Sequence, residues 1–213
     1  MQNRNIKWPR YLVSTVLCCV TVWGIYMMVQ LVDEVILTLG EPYEQVLEHS
    51  HSTLPPIERG IAWGGHVSRP AQFRFADIRY GFVTPAAKFL NVGYDKEGNV
   101  WSVTLSPQVK TLSLNATMAI LVDLQNQLRR GGWRLIRPDE NPAITDTPAM
   151  RAQIRARADP ITYWVAADKY QLILNVRRFV HESHPEDERY LITLQLSTPF
   201  VGGGPKYSQT QIN

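Results

Sequence analysis

Cysteine is nearly missing from this chain. Of 213 residues only Cys18 and Cys19 are cysteines, and they are adjacent within a long apolar run. Neither can join distant parts of a folded domain, so a disulfide scaffold is excluded. The rest of the chain must be stabilised by burial of apolar surface, which a domain near 150 residues achieves unaided. This usage fits a bacterial periplasm better than an extracellular animal setting.

Motifs for nucleophilic catalysis and for phosphate binding are also missing. The sequence contains no Gly-x-Ser-x-Gly, no Ser-x-x-Lys and no thiol outside the apolar run. The glycines at 202–204 are followed by neither Lys-Ser/Thr nor a helical pattern. We therefore expect no catalytic residues and no cofactor.

Charged side chains are absent from residues 11–32, a run of 22 residues. As a helix rising about 1.5 Å per residue, this run spans about 33 Å, enough for a hydrocarbon core of about 30 Å. Arg4, Lys7 and Arg10 precede it, and no further Lys or Arg occurs before Arg59. The positive-inside rule then places residues 1–10 in the cytoplasm. We predict a single-pass protein of a bacterial inner membrane that contacts the lipid bilayer through residues 11–32 and has a periplasmic domain.

A cleaved signal peptide is the main alternative for this run. Such a peptide has an apolar stretch of about 7–15 residues followed by a small-x-small cleavage site. Here the run is longer, and the best candidate site, Thr38-Leu39-Gly40, is poor. A lipoprotein signal requires a small residue before the modified cysteine, whereas Leu17 precedes Cys18. Retention of the helix is favoured.

The domain limits follow from breaks in composition. Residues 33–56 are expected to be a juxtamembrane segment and linker, because polar residues and Pro55-Pro56 interrupt the pattern there. Within them, Pro42 favours a short helix with Tyr43, Val46 and Leu47 on one face. The domain is expected at residues 57–200, followed by a flexible tail at 201–213.

Strands and helices alternate within the predicted domain. Hairpins are predicted at 88–105 and 162–180, helices at 115–130 and 149–158, and a last strand at 190–197 after a polar loop. Residues 71–82 are read as one strand bent near Asp77. These patterns predict an α+β fold, in which an N-terminal transmembrane helix precedes a two-layer domain with a mostly antiparallel sheet covered by about two helices.

Four tryptophans fall in or beside predicted strands: Trp63, Trp101, Trp133 and Trp164. An indole buries more area than most side chains, so most of them are expected in the core. Alternation places Trp101 on the same face as Val103 and Leu105. The other reading is that one or two lie on an open sheet face and anchor a partner.

Histidines provide the sharpest test for a metal site. His49 and His51 lie near Glu48, and His181 and His184 lie among acidic residues. Neither group has the spacing of a four-ligand zinc site, and both fall in a predicted linker or loop. We therefore predict no metal site. If the domain is instead a hydrolase or metal-dependent enzyme, His66, His181 and His184 are its leading candidates.

Arginine is the most informative charged residue. From residue 57 onward there are 19 Lys plus Arg against 14 Asp plus Glu, and 14 of the 19 are Arg. Seven of them gather around the two predicted helices, and they form the predicted binding site for an anionic partner: Arg129, Arg130, Arg134, Arg137, Arg151, Arg155 and Arg157. Guanidinium groups suit carboxylate or phosphate. The competing explanation is that arginines near helix ends only complement the helix dipole.

The sequence as a whole favours a tethered binding module over an enzyme. We expect a subunit of an envelope assembly or an inhibitor that neutralises a protein toxin, with another envelope protein as partner. Nucleic acid is not expected, because the domain lies across a membrane from it and lacks aromatic-basic stacking motifs. A membrane-anchored hydrolase or metal-dependent enzyme acting on envelope material is the alternative.

Overall fold

The computed structural model describes residues 33–58, 60–181 and 183–199. These residues form three helices: α1 Tyr43–His49, α2 Leu114–Arg130 and α3 Pro148–Arg155. They also form ten strands: β1 Asp33–Leu37, β2 Trp63–His66, β3 Ala71–Phe75, β4 Phe82–Val83, β5 Phe89–Tyr94, β6 Val100–Ser106, β7 Arg134–Leu135, β8 Ile161–Ala166, β9 Tyr170–His181 and β10 His184–Ser197.

Two sheets account for all ten strands. The larger has seven strands in the order β2-β5-β6-β10-β9-β8-β7, and every neighbouring pair is antiparallel. The smaller has the order β1-β3-β4, with β1 parallel to β3 and β3 antiparallel to β4. The fold is a mixed, sheet-rich α+β fold with a core dominated by sheet. The predicted fold class is confirmed at this level.

One face of the large sheet is buried and the other is open. Alternate residues such as Leu172, Leu174 and Leu194 are almost fully buried, and α2 packs against β10 on that side. Burying one such leucine contributes about 1.5–3 kcal/mol. The intervening residues on the opposite face are half-buried or exposed, among them Tyr163 and Gln195. We call this second side the open face.

The two longer helices begin and end where their capping residues predict. The Ser113 hydroxyl accepts a hydrogen bond from the Ala116 amide at 3.4 Å, and Gly132 follows the last turn of α2 with φ +81°. The Thr147 hydroxyl accepts from the Met150 amide at the start of α3. These helices confirm the predictions at 115–130 and 149–158 to within a few residues.

Residues 33–56 pack into the same core as the rest of the domain. Val35 and Leu37 of β1 and Val46 of α1 are fully buried, and the compact unit begins at Asp33 rather than near Ile57. The short helix after Pro42 is confirmed, although Leu47 stays exposed. Residues 33–37 of the expected juxtamembrane segment form β1, which pairs in parallel with β3, a partner distant in sequence.

The predicted transmembrane helix at residues 11–32 and the predicted tail at 201–213 lie outside the described residues, so both stay predictions. In the described ranges, no helix combines the length and the apolar character needed to cross a membrane.

Three local predictions are corrected by the structure. Residues 71–82 form two strands joined by a turn, because the Asp77 carboxylate accepts the amides of Arg79 and Tyr80. Most of the predicted loop at 181–189 continues β9 and β10, since paired strands satisfy their own backbone groups even when their side chains are charged. A bulge between Gly93 and Tyr94 shifts the register, and Trp101 is 49% exposed instead of joining Val103 in the core.

Candidate functional site: a basic end of the domain

The seven arginines predicted as one site do not form one surface. The Arg151 guanidinium donates to the Asn115 side chain at 2.7 Å, near the start of α2. Arg129 and Arg130 occupy the last turn of the same helix. Fourteen residues of helix separate Asn115 from Arg129, which is a distance of about 21 Å. The predicted cluster therefore divides between the two ends of α2.

Four of the seven lie away from the end of α2, and three of these pair with acids. The guanidinium of Arg137 lies 3.5 Å from a carboxylate oxygen of Glu140, and that of Arg155 lies 3.1 Å from one of Glu188. Arg151 forms a bidentate ion pair with Asp146. Exposed pairs of this kind contribute at most about 1 kcal/mol. Arg157, the fourth, is exposed just after α3 and adopts φ +61°. Three of these four charges are therefore already compensated.

The other three, Arg129, Arg130 and Arg134, lie beside the turn that joins β3 to β4. A Cβ atom placed on Gly131 would lie 3.3 Å from the Arg79 carbonyl oxygen, so the end of α2 contacts this turn. Arg134 is paired with Val165 of β8, whose hairpin with β9 contains Lys169. The tertiary fold thus brings together cations from four segments of the chain.

The turn itself is tightly held by hydrogen bonds. One oxygen of the Asp77 carboxylate accepts the amides of Arg79 and Tyr80, each at 2.8 Å. The other oxygen accepts the Tyr170 hydroxyl at 3.0 Å. The Trp133 indole donates to the Tyr80 carbonyl oxygen at 2.9 Å, which fixes the far side of the turn. Tyr80 and Trp133 are both buried, so the turn rests on the core.

Asp77 and Tyr170 perturb each other's ionisation. Partial burial acts to raise the pKa of Asp77, but the two amide hydrogen bonds, the Tyr170 hydroxyl and the charge of Lys169 outweigh it, and the pKa lies below its ordinary value. Burial and the neighbouring carboxylate raise the pKa of Tyr170 to about 12. Between the ordinary carboxyl pKa of 3.8 and pH 10 the pair is therefore a carboxylate and a neutral hydroxyl, the arrangement that holds the turn.

Ile78 stands at the tip of this turn with a relative exposure of 106%. The Arg79 guanidinium lies over the Tyr80 ring, 5.3 Å from its centre, and that of Arg129 lies 5.5 Å from the centre of the Trp164 ring. We define the basic end as Ile78 together with five cations on the turn and on the segments next to it, which are Arg79, Arg129, Arg130, Arg134 and Lys169.

The charges of the basic end lack acidic partners within the described residues. None of the five cations lies within 4.0 Å of a carboxylate oxygen that the structure describes, whereas seven arginines elsewhere have such a partner: Arg69, Arg74, Arg137, Arg151, Arg155, Arg177 and Arg189. The carboxylate of Asp77, in the turn itself, is engaged by hydrogen bonds, and Asp168 precedes Lys169 in the β8-β9 hairpin. This end therefore carries uncompensated positive charge.

The open face adjoins the basic end through Arg134. Its strands β5 to β9, together with residues 191–197 of β10, contain no Asp or Glu. A depression of about 310 Å³ crosses β8, β9 and β10 and is lined by aliphatic and amide side chains, including Ile173, Leu191 and Asn175. Arg177 at its margin pairs with Asp159 at 3.0 Å. The basic end thus continues into a face whose strands carry no acidic side chain in these ranges, and Asp159 lies at the margin of the depression.

The three histidines suspected of catalysis do not converge. His66 lies on the edge strand β2, while His181 and His184 are backbone register partners at the end of the β9-β10 hairpin. Two further strands separate β2 from β10, a distance of about 14 Å at the usual strand spacing. Among the residues that the structure describes, no three His, Cys, Asp or Glu side chains are grouped so as to hold a metal ion.

Sequence reasoning missed Ile78, Arg79 and Lys169 as members of the site. The available signal was the turn chemistry of Asp77, whose side chain often bonds the amides two and three residues later. Apolar residues on both sides of Asp77 favoured a single strand instead. Lys169 is 91 residues from Ile78 in sequence. The Tyr170 hydrogen bond to Asp77 and the Tyr170 ring contacts with Phe75 and Tyr80 show that the two segments are neighbours.

No protein-family model, no curated protein and no solved structure matches this chain. The described residues define its class as a mixed, sheet-rich α+β domain, and the residues of the basic end carry the functional argument that follows.

Proposed function

We propose that the chain is a non-catalytic binding or assembly module at the outer face of a bacterial inner membrane, with residues 1–10 in the cytoplasm and residues 11–32 as its tether. Its periplasmic domain binds another envelope protein through the basic end. That partner carries carboxylates on the contact surface. The module serves either as a subunit of an envelope complex or as an inhibitor that neutralises a toxin.

The uncompensated charge of the basic end is the observation that carries this proposal. Seven arginines elsewhere in the domain pair with acids, yet five cations at one end have no acid within 4.0 Å among the described residues. Unpaired like charges repel each other and weaken the fold slightly, so they are of use mainly toward a partner of opposite sign. Complementary charge accelerates association and sets specificity.

The chemistry of the cations favours carboxylates as the group recognised. Four of the five are arginines, and the planar guanidinium group binds a carboxylate with two parallel hydrogen bonds. Arg79 and Arg129 are positioned by aromatic rings beneath them, so less side-chain freedom is lost on binding. For the enzyme alternative, the separation of His66 from His181 and His184 offers no support.

Charge reversal of Arg130 tests the proposed function. The tagged full chain and its Arg130→Glu variant are isolated in detergent from their own cells, with Arg157→Glu as the matched control, because Arg157 is also exposed but lies after α3. We expect one envelope protein to be retained by wild type and by the control and lost with Arg130→Glu. Its retention should fall as salt rises from about 50 to 500 mM, since salt screens exposed charges.

Two outcomes contradict the proposal. One is that no retained protein depends on Arg130, and the other is that the purified chain turns over an envelope substrate. The proposed location has its own test, a reporter fused after Asn213 that is active only when exported. Activity restricted to the cytoplasm refutes the predicted topology.

A further inference from the structure

We infer that Ile78 is an anchor residue that enters an apolar pocket of the partner protein, and that carboxylates at the rim of this pocket pair with the cations of the basic end. The inference rests on the proposed function and adds to it the chemistry of the contact. The binding surface is thus an apolar tip with a charged surround rather than a uniformly charged patch.

The fold gives no reason for an isoleucine at position 78. Its relative exposure is 106%, so the side chain contributes nothing to the core. Tips of tight turns are usually Gly, Asn, Asp or Ser, and a β-branched aliphatic residue is poorly suited to them. The neighbouring residues do have structural roles. Asp77 accepts the hydrogen bonds of the turn, Tyr80 is buried, and a side chain at Gly81 would clash, because its Cβ would lie 2.6 Å from the Asp77 carbonyl oxygen.

The turn presents Ile78 in a fixed position before any partner arrives. Three hydrogen bonds converge on the Asp77 carboxylate, and the Trp133 indole holds the Tyr80 carbonyl. Beneath the turn, the Tyr170 ring contacts the rings of Phe75 and Tyr80 edge to face, with centres 5.0 and 6.0 Å apart. A prepositioned anchor loses little conformational entropy on binding, which is a property of residues that dominate binding energy.

The cations of the basic end indicate which groups border the partner's pocket for Ile78. Arg79 follows Ile78 directly, and the Arg79 backbone is in contact range of Gly131, next to Arg130. Lys169 lies close enough to Asp77 to lower the pKa of its carboxylate. A pocket that is apolar inside and bordered by Asp or Glu is therefore complementary both to the Ile78 side chain and to the cations of the basic end.

The place of Ile78 on the β1-β3 strand pair follows from the strand register. The described chain begins at Asp33, which is paired with Ala71 at the start of β3, while Leu37 is paired with Phe75 at its end. Four residues of strand span about 13 Å, and Ile78 lies three residues beyond Phe75. Ile78 therefore lies beyond the end of this strand pair opposite to Asp33, where its side chain is accessible to a partner protein.

A photoreactive residue at position 78 tests the inference in the full chain. p-Benzoylphenylalanine is placed at 78 and, as a matched control, at 61, because Ile61 is also exposed (50%) but precedes β2 at the opposite edge of the sheet from Arg134. After irradiation of the native cells, we expect one protein adduct with position 78 and none of the same adduct with position 61. No protein adduct at position 78 overturns the inference.

Affinities then measure the contribution of the anchor. The cross-linked protein is purified, and its Kd is determined for the wild-type full chain, Ile78→Ala, Ile61→Ala and Arg130→Glu. We expect Ile78→Ala to weaken binding by about 10- to 100-fold, mainly through faster dissociation, and Ile61→Ala to change it less than about twofold. The thermal midpoint of Ile78→Ala should equal that of wild type, so that a loss of affinity reports the contact.

The outcomes separate the two proposals. Weak binding by Arg130→Glu with unchanged binding by Ile78→Ala overturns the anchor and leaves the proposed function standing. If neither variant changes the Kd, both fail. Vesicles containing about one third phosphatidylglycerol provide the remaining comparison, and binding to them that depends on Ile78 overturns the assignment to a partner protein.

Discussion

Replacing Tyr170 with phenylalanine removes one hydroxyl from beneath the basic end and leaves the ring in place. In the wild type this hydroxyl donates to the Asp77 carboxylate at 3.0 Å, while the ring packs edge to face on Phe75 with centres 5.0 Å apart. The substitution therefore isolates the hydrogen bond that ties β9 to the turn between β3 and β4. We expect it to lower stability without changing the fold.

The size of the effect follows from the chemistry of the acceptor. A hydrogen bond to a charged group contributes about 1.5–3 kcal/mol. Tyr170 is only half-buried, and Asp77 keeps its two amide bonds, so we expect a loss near the lower limit, about 1.5 kcal/mol. With a urea dependence of about 2 kcal/mol per molar, the unfolding midpoint falls by about 0.7 M.

Urea unfolding of the full chain, followed by tryptophan fluorescence, measures this loss. Trp133 is a suitable reporter because its ring centre lies 6.3 Å from that of Tyr170. Tyr163→Phe is the matched control, since Tyr163 is also half-buried but its hydroxyl has no hydrogen-bond partner among the described residues. Equal losses for the two variants, or a loss below about 0.5 kcal/mol for Tyr170→Phe, refute the reasoning.

Alkaline pH provides a second readout of the same bond. Because the pKa of Tyr170 is raised from 10.0 to about 12 on folding, the stability that it contributes is fully present below pH 10 and is lost as the pH rises toward 12. Tyr170→Phe should lack this loss. Stability curves for the two proteins that fall in parallel between pH 10 and 12 contradict the assignment.

Three further substitutions follow from particular contacts. Gln125→Ala removes the buried amide that bonds both the N–H and the C=O of Ile144, and we expect a loss of about 2–3 kcal/mol in urea unfolding. Gly93→Ala places a Cβ 2.5 Å from the Ser102 hydroxyl oxygen and 2.9 Å from the Trp101 indole nitrogen. Both side chains should move, with a cost of about 1 kcal/mol and increased quenching of Trp101 by acrylamide. Asp77→Ala should be less stable than wild type at pH 6. The difference in the free energy of unfolding should shrink as the pH falls below 3.8, the ordinary carboxyl pKa, because the lowered pKa of Asp77 stabilises the fold at higher pH and this contribution is lost when Asp77 is protonated.

The basic end shows why three of the seven predicted arginines lie together in the structure and the other four lie elsewhere. Arg129, Arg130 and Arg134 lie within six residues of one another around a helix stop, so sequence proximity alone placed them together. Arg151 and Arg155 had the same residue type, but their helix packs at the other end of α2, where Asp146 and Glu188 pair with them. Sequence reports the number of charges, whereas the fold decides which acids neutralise them.

Local chemistry determined the parts of this protein that depend on neighbours along the chain. Capping residues and glycines fixed α2, and alternation with a polar turn fixed the hairpin of β5 and β6, because the energies involved act within a few residues. Only the tertiary structure decided that Asp33–Leu37 is a strand, that Trp101 faces solvent and that Ile78 stands within a group of cations. Each of these features depends on a pairing or packing partner more than ten residues away, or on a bulge that shifts the strand register. The physical reason is that burial and charge compensation are set by distance in space and not by distance along the sequence.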